Sequence, residues 1–310
     1  MVSAVVLMSA YNGEAYLREQ IESILSQQGD FQLTLHIRDD GSSDGTRGIL
    51  KTYEDRENII ITYGENIGIT ASYFELMRTA GKYDYYALSD QDDVWLPDKL
   101  AAAIAALEKA AGNDCPLLYG CRSFLVDENL IKTGKMTQSN LRGLTVRNTM
   151  IQNILLGHNQ VFNRALLTEL TKEKADFSRI YAHDMWNTCL AAVTGKIIFE
   201  NEPHTLYRQH SRNELGFGSG AGSLKWLAVR LKRALHGEGR LIARQFACFV
   251  ESHGREMRPE DLEECRRFLA SSESFVKRVR YALRTKFYRQ RKSEDFLFRV
   301  LYVLGGYRKG

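Results

Sequence analysis

The sequence predicts an α/β protein: a mostly parallel central sheet flanked by helices, followed by a basic helical C-terminal region. Three observations predict it. Short β-rich apolar runs alternate with helical patterns through the first half of the chain. Three of the first four of these runs stop at polar clusters, Ser9-Ala10-Tyr11-Asn12-Gly13, Asp39-Asp40 and Asp90-Gln91-Asp92-Asp93. A glycine-rich break from Gly216 to Gly222 then separates this body from a tail rich in Arg and Lys.

The elements follow in order. Ala4–Ser9 reads as a buried strand, and Leu17, Ile21, Ile24 and Leu25 recur at helical spacing behind it. Leu33–Arg38 is a second strand, ending in the turn Asp39-Asp40-Gly41-Ser42-Ser43-Asp44-Gly45, with a short helix after it. Strand Ile59–Tyr63, a helix over Ile69–Thr79 and strand Tyr85–Ser89 come next. Pro97 suits the first turn of a helix that the alanine-rich stretch carries to Ala111. From Pro116 to His210 the pattern is mixed. Leu117–Tyr119, Ser123–Val126, Gln160–Asn163, Ile197–Glu200 and Thr205–Arg208 read as strands, and Ala182–Val193 as a helix. The domain boundary falls at the glycine-rich break, giving residues 1–221 and 222–310.

Length and composition suit a soluble globular chain with a full core. The apolar run Ala4–Met8 is too short for a signal peptide, and no segment reaches the length of a membrane span, so none is expected. Five cysteines without a CxxC pair point to reduced thiols in a cytosolic chain. Residues 1–221 carry 21 Lys+Arg against 28 Asp+Glu, whereas residues 222–310 carry 21 against 10. An acidic body with a basic tail faces two kinds of partner, and the tail suits an anionic surface.

Ligands of open α/β sheets bind beyond the carboxyl ends of the strands. Carboxylates gathered there repel one another unless a cation or hydrogen-bonding ligand compensates them. One Asp-rich turn alone is a solvated loop or cap; two at consecutive strand ends indicate a site. Asp90-Gln91-Asp92 is a DxD arrangement, whose hard oxygen ligands suit Mg²⁺ or Mn²⁺ with phosphates and water completing the shell.

The chain resembles the family 2 glycosyltransferases of the GT-A (Rossmann-like) fold over residues 3–216. The resemblance rests on Ser9 to Gly13, Gln20 to Gln27, Asp39 to Thr46, Asn66-Ile67-Gly68 and Ser89 to Trp95, in that order. Two later blocks, His183-Asp184-Met185-Trp186 and Tyr207 to Asn213, resemble the bacterial rhamnosyltransferases of surface-polysaccharide synthesis. The resemblance implies an inverting, metal-dependent transfer of a sugar onto a lipid-linked or growing surface glycan, with dTDP-L-rhamnose the first candidate donor and a UDP-hexose the alternative.

Roles follow from the same resemblance. Asp39 accepts the imino N–H of a uracil or thymine, a contact cytosine cannot make. Asp90 bonds the ribose, and Asp92 ligates the ion that holds the diphosphate. Ala10, Tyr11, Asn12, Asn66 and Gly68 line the donor site; the alternatives are a core tyrosine at Tyr11 and a simple turn at Asn66-Gly68. Arg208 meets the diphosphate, and His210, on the same face two residues on, is a further metal ligand or a structural histidine. Asp184 is the base that deprotonates the acceptor, although His183 replaces the usual acidic neighbour; the alternative is a helix N-cap. Trp95, His158 and His183 are candidate contacts for the acceptor or donor sugar.

A nucleotidyltransferase shares the fold and metal but usually opens with a basic, glycine-rich phosphate loop, which Tyr11-Asn12-Gly13-Glu14 lacks. Nucleic-acid binding has no stacking-and-arginine motif to support it, and no such partner is expected. In the tail, Leu224, Leu227, Leu231 and Leu235 form an apolar stripe among Lys225, Arg230, Lys232 and Arg233. A second basic run, Lys277 to Lys292, carries Tyr281, Phe287 and Tyr288. Both suit peripheral attachment to the inner face of the cell membrane; the alternative is a helical appendage packed on the body.

Overall fold

The structure, a computed structural model, describes residues 1–110, 115–172, 176–210 and 237–308. The glycine-rich break and the Leu224–Leu235 stripe lie outside the described residues. The chain forms two compact units, residues 1–139, 154–174 and 195–216 in the first, and 140–153, 175–194 and 217–310 in the second.

Among the described residues the first unit is built on one nine-stranded sheet with helices packed on it. Its strands are β1 (Val2–Ala10), β2 (Phe31–Asp39), β3 (Ile59–Tyr63), β4 (Tyr85–Ser89), β5 (Val94–Trp95), β6 (Leu117–Val126), β7 (Lys132–Met136), β8 (Val161–Asn163) and β9 (Lys196–Arg208). They lie in the order β3-β2-β1-β4-β8-β6-β9-β5, with β7 paired to β6. The first four are parallel, and β8 joins β4 and β6 by antiparallel pairing. The chain moves outward from β1 to β3 and then returns to the other side of β1 as β4. That reversal opens a crevice at the carboxyl ends of β1 and β4, the usual ligand position in such sheets. The register aligns Ala10 with Asp39, and Met8 with Ser89, so the three polar clusters emerge at one edge.

β1 is buried continuously from Ala4 to Met8, as expected of a central parallel strand covered on both faces. Helix α1 (Leu17–Leu25) buries Leu17, Ile21 and Ile24, the residues its periodicity selects. α2 (Thr46–Lys51) follows the acidic turn, α3 (Ile69–Thr79) buries Tyr73, Phe74, Leu76 and Met77, and α4 (Lys99–Ala110) buries Leu100, Ala103, Ile104 and Leu107. Each leucine, isoleucine, methionine or phenylalanine among these contributes about 1.5–3 kcal/mol of transfer free energy.

The sequence under-reads the middle of the unit. Leu117–Val126 is one strand interrupted by an irregularity near Arg122, and Lys196–Arg208 is likewise continuous through Pro203. β7 is exposed along its whole length and shows no apolar alternation, and β5 has two residues, so neither leaves a periodic signal. Helix α6 (Arg164–Thr171) starts at Asn163, whose side chain accepts the Leu166 N–H. Gly195, just before β9, packs against the Pro116 carbonyl so closely that a Cβ would lie 1.9 Å from its oxygen. A Gly195→Ala variant should therefore lose about 1–3 kcal/mol of stability by overpacking. An unchanged urea midpoint would contradict that contact.

The second unit is helical. It contains α5 (Val146–Thr149), α7 (His183–Thr194), α8 (Glu238–His253), α9 (Pro259–Ser271), α10 (Phe275–Arg284) and α11 (Lys292–Val303). Segments 140–153 and 175–194, placed by the sequence with the N-terminal body, group here with the C-terminal helices. Polar contacts hold them. Gln152 Oε1 accepts the Gln290 N–H at 2.7 Å, its Nε2 donates to Glu294, and Asn148 Nδ2 donates to the Tyr288 carbonyl. Gln245 Oε1 accepts the Tyr181 and Ala182 N–H groups ahead of α7. An aromatic cluster centred on Phe268, with Phe246, Tyr281, Phe287 and Tyr302, fills the interior. The five cysteines are free thiols.

Candidate active site

The site is built on the first unit from the ends of β1, β2 and β4. Asp39 closes β2 and is fully buried. Its Oδ1 accepts the Ser42 N–H at 3.2 Å, and Arg47 Nε donates to its Oδ2 at 2.6 Å. Arg47 is half-exposed and also lies over the Tyr63 ring. Asp40 points the other way, paired with Arg38 and accepting the Ile67 and Gly68 N–H groups at 3.0 Å. It therefore anchors the Asn66-Ile67-Gly68 turn to β2. Gly41 has φ +80, and a Cβ there would lie 2.7 Å from the Asn66 nitrogen, so this corner requires glycine.

At the end of β1, Ala10 is buried and pairs with Asp39. Tyr11 is 47% exposed, which rules out the core-tyrosine alternative. Its backbone is clasped by the Gln91 carboxamide, which accepts from Tyr11 N at 2.8 Å and donates to Tyr11 O at 2.9 Å. Asn12 adopts φ 49, and its Oδ1 accepts the Ser43 N–H. Asn66 Oδ1 accepts the Gly68 N–H, an Asx-type closure of the turn that precedes α3.

Three carboxylates follow β4. Asp90 accepts from the Tyr73 hydroxyl at 3.0 Å, and its Oδ2 lies 3.5 Å from His158 Nδ1. Asp92 Oδ2 lies 2.7 Å from His210 Nε2, so two residues 118 apart in sequence meet directly. Asp93 is fully buried, accepts the Arg208 N–H, and has an Oδ2 without a hydrogen-bond partner among the described residues. Burial, then the charges of Asp92 and Asp90, push its carboxyl well above the usual carboxylate range.

Two places here can hold a cation. Ligand atoms of Asp90, Asp93 and His158 lie within 4.8 Å of one another. In that set His158 turns Nδ1 to Asp90 and Asp93, at 3.5 and 3.6 Å, while its Nε2 bonds the Ser123 hydroxyl at 2.9 Å, the second contact that orients a ligating imidazole. Asp92 and His210 form the second position. Adjacent ligand atoms of an octahedral ion bound at about 2.0–2.1 Å stand about 2.9 Å apart, close to the observed 2.7 Å. An oxygen and an imidazole nitrogen also suit Mn²⁺.

Other residues take different positions from those expected. Trp95 is 2% exposed and belongs to the core, 4.0 Å from the Lys99 ammonium, so it offers no face to a sugar. His158 is equally buried, against the Tyr207 ring, and serves the acidic cluster instead of the surface. Arg208 is buried, with its guanidinium donating to the Asp92 and Glu128 carbonyls and the Glu19 carboxylate, beneath the Tyr16 ring. It braces the DxD main chain, and a diphosphate would have to displace those acceptors. His183 and Asp184 belong to the second unit, in the first turn of α7.

Sequence reasoning missed Arg47, Gln91 and Lys99. Lys99 is fully buried and donates to the His158 carbonyl, Asn159 and Thr205, and burial lowers its pKa to about 8. Gln91 stands inside the DxD motif, its one signal in the sequence, and its contact with Tyr11 just beyond β1 appears only in the fold.

Comparison with known proteins completes the picture. The family model described as glycosyl transferase family 2 matches residues 5–173. The chain is 27% identical over 224 residues to dTDP-rhamnosyl transferase RfbG of Shigella flexneri, covering 67% of this chain and 73% of RfbG. It is 36% identical over 98 residues to the putative teichuronic acid biosynthesis glycosyltransferase TuaG of Bacillus subtilis, covering 31% and 38% of the two chains. Among solved structures, S. aureus TarS in complex with UDP-GlcNAc superposes with a TM-score of 0.54 at 16% identity, over 99% of this chain and 90% of that one. Mannosyltransferase PcManGT from Pyrobaculum calidifontis, in complex with GDP-Man and Mn²⁺, gives 0.52 at 17% identity, over 98% and 85%. These structural likenesses establish the GT-A architecture. With the family's model spanning more than half of the chain and strand-end carboxylates arranged as described, the protein belongs to glycosyl transferase family 2.

Proposed function

We propose that the protein is an inverting, metal-dependent glycosyltransferase that moves L-rhamnose from dTDP-rhamnose onto a lipid-linked or growing bacterial surface glycan. The observation that carries the reading is the meeting of Asp92 and His210 beside Asp90, one strand away from β1 and two from Asp39. The sugar rests on the likeness to RfbG, and the glycan acceptor on that likeness together with TuaG. Family membership replaces the nucleotidyltransferase alternative.

In this reading Asp39 accepts the imino N–H of thymine, which requires the half-exposed Arg47 to move off its carboxylate. Asp90 bonds the ribose, while Ala10, Tyr11, Asn12, Asn66 and Gly68 border the nucleotide. Asp92 and His210 hold Mn²⁺ or Mg²⁺, which when bound neutralises charge on the leaving diphosphate. The acceptor hydroxyl attacks the anomeric carbon opposite the diphosphate, and Asp184 takes its proton. A β-linked donor then yields an α-linked product. A lipid-linked acceptor holds the reaction at the inner face of the membrane.

A donor screen tests the proposal. The purified protein, with and without Mn²⁺, should hydrolyse or transfer from dTDP-rhamnose in preference to UDP-hexoses, and only with the ion. Preference for a UDP-hexose favours the second reading, for which the UDP-GlcNAc complex of TarS speaks; uracil carries the same imino N–H, so Asp39 serves both. An Asp39→Ala variant should lose about 1.5–3 kcal/mol of dTDP and UDP affinity, one charge-assisted hydrogen bond, and discriminate less against CDP. Wild-type dTDP affinity on calorimetry would remove Asp39 from the base site.

A further inference from the structure

We infer that the exposed surface of α10, α11 and their flanks is a docking site for an anionic lipid bilayer. From Phe275 to Arg308 the exposed side chains are of two kinds, with Ser293 the one exception. Six are apolar: Phe275, Val276, Leu283, Phe296, Val300 and Leu304. Leu283, Phe296 and Leu304 are 79%, 70% and 69% exposed. Six are cationic: Lys277, Arg280, Arg284, Lys286, Lys292 and Arg308. The two acids of the stretch are turned away from solvent, Glu294 buried against Gln152 and Asp295 partly buried beside Arg299.

The helical spacing groups these residues. Val276, Lys277, Arg280, Leu283 and Arg284 stand at i, i+1, i+4, i+7 and i+8, one face of α10. Lys292, Phe296, Val300 and Leu304 recur every four residues along one side of α11. The opposite faces are fixed. Arg278 donates to the Val303 and Ser272 carbonyls, Arg299 to the Ala282 carbonyl, and the Tyr302 hydroxyl to the Phe268 carbonyl. Tyr281 and Phe287, which the sequence offered as the aromatic part of a lipid face, are core residues, and Tyr288 is half-buried. The surface aromatics are Phe275 and Phe296 instead.

Apolar anchors ringed by cations match a bilayer carrying acidic headgroups, where side chains enter the acyl boundary and each Lys or Arg adds attraction. A polynucleotide offers no place for Leu283 or Leu304. A second copy would set six cations against six. Among the described residues no helix is long and apolar enough to cross a membrane, so the contact is peripheral.

The test is cosedimentation of the full-length protein with phosphatidylcholine vesicles, with and without phosphatidylglycerol, at two salt concentrations. Binding should require phosphatidylglycerol and weaken with salt. The triple variant Lys277→Gln, Arg280→Gln, Arg284→Gln should bind about a hundredfold more weakly, and Phe296→Ser with Leu304→Ser should reduce binding independently. All five positions are exposed, so melting and nucleotide affinity should stay at wild type; the donor reading is thereby tested apart from this one. Failure of the intact protein to pellet, equal binding to neutral vesicles, or wild-type binding by both variants overturns the proposal. Loss of self-association or of generic DNA binding in the variants, without vesicle binding, assigns the face to a second copy or to nucleic acid and overturns it equally.

Discussion

Asp92→Ala is expected to abolish the Mn²⁺- or Mg²⁺-dependent part of nucleotide binding, a loss of more than about a hundredfold where a direct ligand is removed. The fold should survive, because Arg208 is braced by the Asp92 carbonyl, which the substitution leaves in place. His210→Ala should produce nearly the same loss, since its Nε2 and the Asp92 carboxylate stand 2.7 Å apart. If one ion joins them, the double variant should be little worse than either single one, because the second truncation removes a ligand from an ion already gone. Additive losses would mean that the two residues do not act on one ion, and unchanged metal dependence in both single variants would leave the pair a hydrogen bond only. Asp93→Asn separates the two cation positions. It preserves the shape of the buried carboxyl, whose pKa burial raises, so metal dependence should persist if Asp92 and His210 hold the ion. Its disappearance would move the ion to Asp90, Asp93 and His158. Calorimetric titration of dTDP at fixed Mn²⁺, repeated with chelator, reads all four variants.

The residues legible in the sequence are those whose neighbours in the chain already specify them. Asp39 and Asp90 follow apolar runs of strand composition, so their place at strand ends could be read locally, and register brings those ends together. The sequence leaves His210 either a further metal ligand or a structural histidine, and its 2.7 Å contact with Asp92, just beyond β9, is visible only in the fold. What local patterning cannot show is which polar side chains the protein uses for itself. Arg208 looks like a phosphate ligand until Glu19 and Glu128 are found beside it, and Trp95 looks like a sugar platform until it is found in the core. The same limit applies to the tail. Its basic, aromatic-rich composition is plain, yet only packing reveals that Arg278, Tyr281 and Phe287 face inward while Phe275 and Phe296 face out. The second unit recruits residues 140–153 through Asn148 and Gln152, polar residues in a stretch with no distinguishing period.

Asp184→Asn is expected to lower turnover by about two to four orders of magnitude while nucleotide and metal affinity remain near wild type, the share usual for a general base. The structure narrows the competing explanation. The first i to i−4 bond of α7 runs from Trp186 N to the Ala182 carbonyl, so Asp184 lies inside the first turn and not at the cap position. Its Oδ1 accepts the Met185 N–H at 2.7 Å, and its carbonyl accepts from Thr188. A carboxylate there gains from the helix dipole by about 0.3–1 kcal/mol, which Asn would forfeit while keeping an oxygen for the same N–H. A purely structural Asp184 therefore predicts a slightly lower melting temperature and a nearly unchanged rate. A base predicts the same small change in melting together with a large rate loss, realised mainly in the transition state. Thermal melting and single-turnover transfer on this one variant separate the two. Wild-type transfer by Asp184→Asn would remove the residue from the mechanism and leave the proton to another group.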